Sequence, residues 1–429
     1  MRWIVDEVDD LVASGVLSPE SAASLRRHYE QQLAQEETVG RVVLLSVLGA
    51  TLIGAGILLI IAHNWDNLGR PVRTALSLLP LLASLAISLW TLLKRAGSTA
   101  WREGAGMAHC AGVAASIALV SQTYHISGEL SDFLFTWLLL ILPIPYLLGA
   151  VMPALVYLAG IAVWAGTTLD GNGSADGYWL FLAAILPFYA GVLRRDRLGK
   201  AAAWLSACVG VSAAFGLGFQ YSYAPHVQAA HGLWIPAFGG FFGVLYLAGV
   251  SGFSERRYHP LRVLGALGIV GLTVLLSFKG IWPQAGFWAQ SPHTRWLDNG
   301  LAIAFPLAAF GMCALAFVRN VDFNRVAAAL PLAVLASYGL AAAWVPSAAA
   351  ILINLYGLAL ALGSAFRGLR QRAVVTLNGG LLLLAALLVS RFVDSEFGIV
   401  ERGLAFVVLG GLMLGANLWM LKTKREGRA

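Results

Sequence analysis

Charged side chains are scarce in this sequence. Asp, Glu, Lys and Arg make up 12% of its 429 residues, against 59% hydrophobic residues. A water-soluble domain needs a polar surface that this composition cannot supply. Cysteine is scarcer still: Cys110, Cys208 and Cys313 all lie inside apolar runs, where a thiol packs as a small hydrophobe. Neither a disulfide framework nor the Cys/His spacing of a zinc site is present, so no metal and no cofactor is expected. The opening stretch, "MRWIVDEVDDLVASGVLSPE", is acidic and lacks a basic region followed by an apolar one. A cleaved signal peptide is therefore not expected, and the first true span acts as the insertion signal.

Chemical signatures are absent as well. There is no Walker loop, no GxSxG elbow and no HExxH helix. The stretch "KRAGSTAWRE" at 94–103 lacks the Gly-Asp-Arg-Gly-Arg type of signature of major-facilitator carriers. None of the spans assigned below carries Asp, Glu, Lys or Arg in its central third, which argues against a proton-driven pump with a buried carboxylate.

What the sequence has in abundance is apolar runs of about 20 residues, the length that crosses a bilayer core. The short alternating segments of a membrane barrel are missing. The expected fold is all-α: a polytopic helical membrane bundle of about fourteen transmembrane helices. Their expected limits are 41–62, 72–93, 104–124, 131–149, 151–169, 177–193, 198–219, 233–252, 260–279, 299–318, 325–344, 346–366, 373–390 and 402–421. Two of the boundaries divide continuous apolar runs of about 40 residues, twice what one span needs. Those divisions fall near Gly149–Pro153 and at "WVPS", where proline breaks a helix.

Basic residues orient the bundle. With an inside N-terminus, only Arg70, Arg73, Lys279, Arg295, Arg391 and Arg402 of the 29 Lys and Arg fall in outside segments, leaving 23 inside. Basic loops resist translocation, so both termini are expected in the cytoplasm. The net charge of +7 is then cytoplasmic anchoring, with the lipid bilayer as partner and no nucleic acid. Residues 1–40 are expected to form a short cytoplasmic helical hairpin, followed by transmembrane parts over 41–150 and 151–429. In the hairpin, Ile4, Val8, Leu11 and Val12 fall at helical spacing, and "LSPES" offers Ser18 as an N-cap with Pro19 at the first helical position. This acidic module is small and is expected to dock, either on a cytoplasmic protein or on the bundle's own basic loops.

Polar groups inside spans are few. His109 and Asn354 read first as interhelical hydrogen-bonders, and Gly379, Gly380, Gly411 and Gly415 as close helix packing. The outside loops are richer. A candidate outer-mouth cluster consists of His63, Asn64 and Asp66 in "AHNWDN", Gln122 and His125 in "SQTYH", and Arg391, Asp394 and Glu396 in "RFVDSEF". Carboxylate, imidazole and guanidinium groups on several loops can line one cleft; they can equally cap helices and sit in the interfacial belt.

The N-terminal hairpin "LVASGVLSPESAASLRRHY", the "AHNWDN" turn and "SQTYHISGELSDFLFTWLLL" together resemble a bacterial family of predicted membrane proteins, domain of unknown function 2157, over roughly residues 8–150. Ser121 stands where that pattern leads one to expect glycine. The C-terminal "RFVDSEF" and "ERGLAFVVLGGLML" resemble a companion, domain of unknown function 4401. The resemblance implies a bacterial multi-pass inner-membrane protein and carries no activity or site residues. Transport or flippase-like work, or envelope assembly, fits best. The alternatives are a membrane enzyme acting on a lipid-linked or envelope substrate at the outer surface, with Asp66, His125, Asp394 or Glu396 as acid or base, and a scaffold or sensor subunit.

Overall fold

Prolines, left-handed residues and short polar caps set the helix boundaries in the computed structural model. It describes residues 18, 20–25, 68–170, 177–222, 232–253, 259–283, 285, 296–321, 324–371, 373–394 and 411. The helices are α1 (Arg70–Lys94), α2 (Thr99–Tyr124), α3 (Leu130–Ile141), α4 (Pro143–Leu148), α5 (Val151–Asp170), α6 (Tyr178–Arg195) and α7 (Lys200–Ser222). They continue with α8 (Trp234–Gly252), α9 (Pro260–Leu276), α10 (Trp296–Val318), α11 (Arg325–Ala328), α12 (Leu330–Ala342), α13 (Pro346–Arg370) and α14 (Val374–Asp394). Among the described residues there is no strand.

Each start has a local cause. Ser98 Oγ accepts the Trp101 N–H at the head of α2. Asp132 Oδ2 accepts the Glu129 N–H, 3.2 Å away, at the head of α3. His259 Nδ1 accepts the Leu261 N–H before Pro260 opens α9. Asn324 Oδ1 accepts the N–H groups of Val326 and Ala327 at α11. These acceptors satisfy donors that a helix start leaves without an internal partner. Both long apolar runs break where proline led us to expect it. Gly149, with φ 59°, separates α4 from α5, and Trp344, with φ 61°, separates α12 from α13, which begins at Pro346. Pro143 adds a break between α3 and α4, as a proline inside an apolar run can.

Nine helical segments among the described residues are long and apolar enough to cross a membrane: α1, α2, α3 with α4, α5, α7, α8, α10, α13 and α14. Helices α9 and α12 are apolar but shorter. The expected first and last spans, 41–62 and 402–421, lie outside the described residues, apart from Gly411. The outward surface agrees with a lipid setting: Leu82, Leu180, Leu307 and Leu332 are each at least 60% exposed, which water would penalise. This is a helical, multi-pass membrane protein.

The chain divides into two compact units, Met1–Leu78 and Leu79–Ala429. In the first, Ser18 Oγ accepts the Ser21 N–H at 3.2 Å, as an N-cap at that position should. In the second, one apolar core joins α2, α3, α5 and α6, and another joins α8, α9, α12, α13 and α14. Helix α8 is the most enclosed of the candidate spans. Its Gly249 lies against the backbone of Arg262, and Gly265 of α9 against the backbone of Tyr246. That pairing runs α8 and α9 antiparallel at backbone contact, a distance only small residues permit.

Candidate functional site

The residues singled out for an outer mouth divide three ways. His63, Asn64, Asp66 and Glu396 lie outside the described residues. Gln122 and His125 are exposed at the end of α2, where His125 takes a left-handed conformation (φ 53°, ψ 41°) and the helix stops. Arg391 and Asp394 come together. Asp394 Oδ2 accepts from Arg391 Nη2 at 2.8 Å and from the Lys279 N–H at 2.8 Å. Among the described residues, neither Gln122 nor His125 contributes a hydrogen bond to this pair.

The surroundings of Arg391 show what the pair does. A helix C-terminus leaves carbonyls without internal partners, and α9 ends here. Arg391 Nη2 donates to the Ser277 carbonyl, and Asn354 Nδ2 donates to the same oxygen at 3.1 Å. Trp282 Nε1 donates to the Leu276 carbonyl at 2.9 Å. Ser277 and Ser390 hydroxyls bond each other at 2.9 Å. Ser277 and Trp282 are fully buried and Ser390 nearly so. Guanidinium, amide and indole therefore close the end of α9, the guanidinium through a charge-assisted hydrogen bond. Asn354 is interhelical glue, as its type suggested, and its specific task is this cap. His109 likewise bridges helices: its Nδ1 lies 3.3 Å from Ser84 Oγ of α1, in the same seam where Ser116 Oγ accepts the Leu81 N–H.

The opposite end of α9 opens into a cavity of about 800 Å³, within the range of small-molecule sites. Helix α9 presents Arg262, Val263, Ala266, Leu267, Ile269 and Val270 to it. Helix α13 presents Leu360, Ser364, Arg367 and, just past its end, Gln371, four residues on one helical face. Helix α14 gives Val375, Thr376, Gly379, Gly380 and Leu383; α8 gives Tyr246 and Val250; the segment before and within α11 gives Val321, Asn324 and Ala327.

One wall of this cavity is held rigidly. Asn324 donates from Nδ2 to Ser364 Oγ at 3.2 Å, and its backbone N–H donates to the Tyr246 hydroxyl at 3.1 Å, so a single residue ties α8, α11 and α13. Among the described residues, the charged side chains lining the cavity are the two arginines, and no carboxylate lines it. Low-dielectric walls focus such a field. Sequence reasoning placed Arg262 and Arg367 among the basic residues that orient the bundle and went no further. The signal that could have found the site was the spacing of Ser364, Arg367 and Gln371, with the glycine pair Gly379–Gly380 opposite. Gly380 packs closely, as expected, against Ala361 and Ala365 of α13; a Cβ on Gly379 would meet nothing within 4 Å.

Among the described residues, no three His, Cys, Asp or Glu side chains stand close enough to hold a metal ion. Residues 9–154 match the family of predicted membrane proteins DUF2157, a domain of unknown function. No curated protein and no solved structure matches the chain.

Proposed function

We propose that this chain is a non-enzymatic protein of the bacterial inner membrane, flippase-like or serving envelope assembly, which admits an amphiphile to the cavity among α8, α9, α13 and α14. The observation that carries this reading is the cavity itself: about 800 Å³, lined mostly by apolar residues, with Arg262, Arg367, Gln371 and Thr376 near the helix termini at one end. In the topology we favour, about fourteen spans with both termini cytoplasmic, that polar end faces the cytoplasm, because Arg262 and Arg367 line it and Arg319, Arg325 and Arg370 lie within two residues of lining residues in the sequence. The absence of charge from the middle of the expected spans speaks for movement down a gradient. The likeness of the C-terminal part to domain of unknown function 4401 belongs to the same reading, as do the cytoplasmic hairpin over 1–40 and the transmembrane parts over 41–150 and 151–429.

An outer-surface enzyme is the weaker alternative, since Asp394 is occupied by Arg391 and the Lys279 N–H and a general base needs a free lone pair toward substrate. A scaffold would leave the cavity without a use. The test is a translocation assay: full-length protein in vesicles carrying a fluorescent-headgroup lipid, with a membrane-impermeant reductant added outside. Bleaching of inner-leaflet probe above that of protein-free vesicles is expected, and Gly379→Phe, which projects a ring into the cavity, should lower it sharply. Bleaching equal to that of empty vesicles would sink the transport reading.

A further inference from the structure

The cavity's polarity is graded along its length. From Arg262 to Val270 along α9 is a rise of about 12 Å, and from Gln371 back to Leu360 along α13 about 16 Å. Arg262, Arg367, Gln371 and Thr376 occupy the end near the helix termini; Leu267, Val270, Leu360 and Leu383 occupy the deep part. A ligand complementary to this surface has a compact anionic head and an apolar tail. A planar guanidinium fork matches the oxygens of a phosphate better than any other common anion except a carboxylate.

We propose that Arg262 and Arg367 form a phosphate subsite, and that the amphiphile is a lipid carrying an anionic phosphate ester. Its head sits between the two arginines with Gln371 beside them, and its chain runs along α9 and α13 into the deep half. This rests on the reading of the cavity as an amphiphile site. Phosphate is the shared chemistry of a lipid head and of the free anion. The lipid is favoured because the apolar remainder of the cavity has no complement in a bare ion, and because α9, α13 and α14 also carry large exposed apolar side chains, Leu267, Leu362 and Leu382 among them.

Native mass spectrometry of the purified full chain tests it, with phosphatidylglycerol, diacylglycerol of the same chain length, and inorganic phosphate as probes. The wild type should retain phosphatidylglycerol over diacylglycerol by roughly tenfold or more, and inorganic phosphate should not displace it. The double variant Arg262→Gln, Arg367→Gln should erase that preference, while Arg262→Lys, Arg367→Lys keeps most of it. Gly379→Phe should exclude both lipids. If the wild type shows no preference, or the glutamine variant keeps it, while Gly379→Phe still excludes both lipids, the phosphate subsite is wrong and the cavity reading stands. If Gly379→Phe leaves both lipids bound, the cavity reading fails and the subsite with it. Displacement by inorganic phosphate would mark a small-anion site and overturn the lipid assignment. The wild-type comparison needs no variant, so a misfolded substitution does not protect the proposal.

Discussion

Arg391 and Asp394, three residues apart on α14, form an ion pair at 2.8 Å whose side chains are 26% and 13% exposed. The pair closes the end of a different helix, α9, through the Ser277 carbonyl and the Lys279 N–H. Removing the carboxylate leaves a half-buried guanidinium with one partner fewer and frees the Lys279 N–H. Asp394→Ala should therefore cost about 1–3 kcal/mol of stability, the range for an orphaned buried polar group. Thermal denaturation in detergent measures this. Translocation per folded molecule should remain near wild type. An unchanged melting curve with lost activity would mean that Asp394 acts chemically.

The adjacent glycines of α14 should respond in opposite directions. A Cβ on Gly380 would lie 2.6 Å from the Ala361 carbonyl oxygen of α13, and backbone cannot yield as a side chain can. Gly380→Ala should destabilise by about 1–3 kcal/mol through overpacking. Gly379 faces the cavity, where a methyl group meets nothing within 4 Å. Gly379→Ala should be neutral or stabilising by about 0.5–1 kcal/mol, since alanine loses less backbone freedom in a helix. Melting temperatures of the two variants, purified side by side, decide this, and equal losses would contradict the placement of Gly379.

A comparable test applies at the junction of α2 with α5. The Glu103 carboxylate reaches across to accept the N–H groups of Val151 and Met152, at 2.8 and 2.7 Å. Those are first-turn donors of α5, and a carboxylate there also meets the positive end of the helix. Glu103→Ala should cost about 1–3 kcal/mol. Glu103→Gln, which keeps one acceptor, should lose less. Hydrogen exchange at Val151 and Met152 should rise in the alanine variant; unchanged protection there would show that another group caps the helix.

Much of this architecture was legible because the bilayer simplifies the code. Runs of about 20 apolar residues mark spans, and Pro153 and Pro346 marked the two divisions that length alone could not place. Ser18, His109 and Asn354 were legible as types: a cap and two interhelical hydrogen-bonders. Their partners were not, because the Asn354–Ser277 bond joins residues 77 apart and the Ser277–Ser390 bond residues 113 apart. Periodicity within a helix does not report which neighbour it faces. The cavity was hidden for a related reason. Arg262 and Arg367 each satisfy the positive-inside rule in isolation, so nothing in one segment's sequence distinguishes an orienting arginine from one that lines a site.

Topology itself is testable at two exposed turns. Gly128 lies between α2 and α3, and Arg197 between α6 and α7. In the topology we favour, α6 crosses as do α3 with α4 and α5, three passes in all, so the two turns are expected at opposite faces. Near Arg197 stand Arg194, Arg195 and Lys200; near Gly128 stand Glu129 and Asp132. Basic turns resist crossing, and acidic ones contribute little to orientation, so the 197 turn should stay in the cytoplasm. Single cysteines at 128 and 197, with the three native cysteines replaced, should then differ under a membrane-impermeant maleimide. In intact spheroplasts, Gly128→Cys should react and Arg197→Cys should react only after permeabilisation. The reverse pattern would invert the bundle and turn the arginine-lined end of the cavity outward. Labelling of both from outside would mean that one of the intervening helices does not cross.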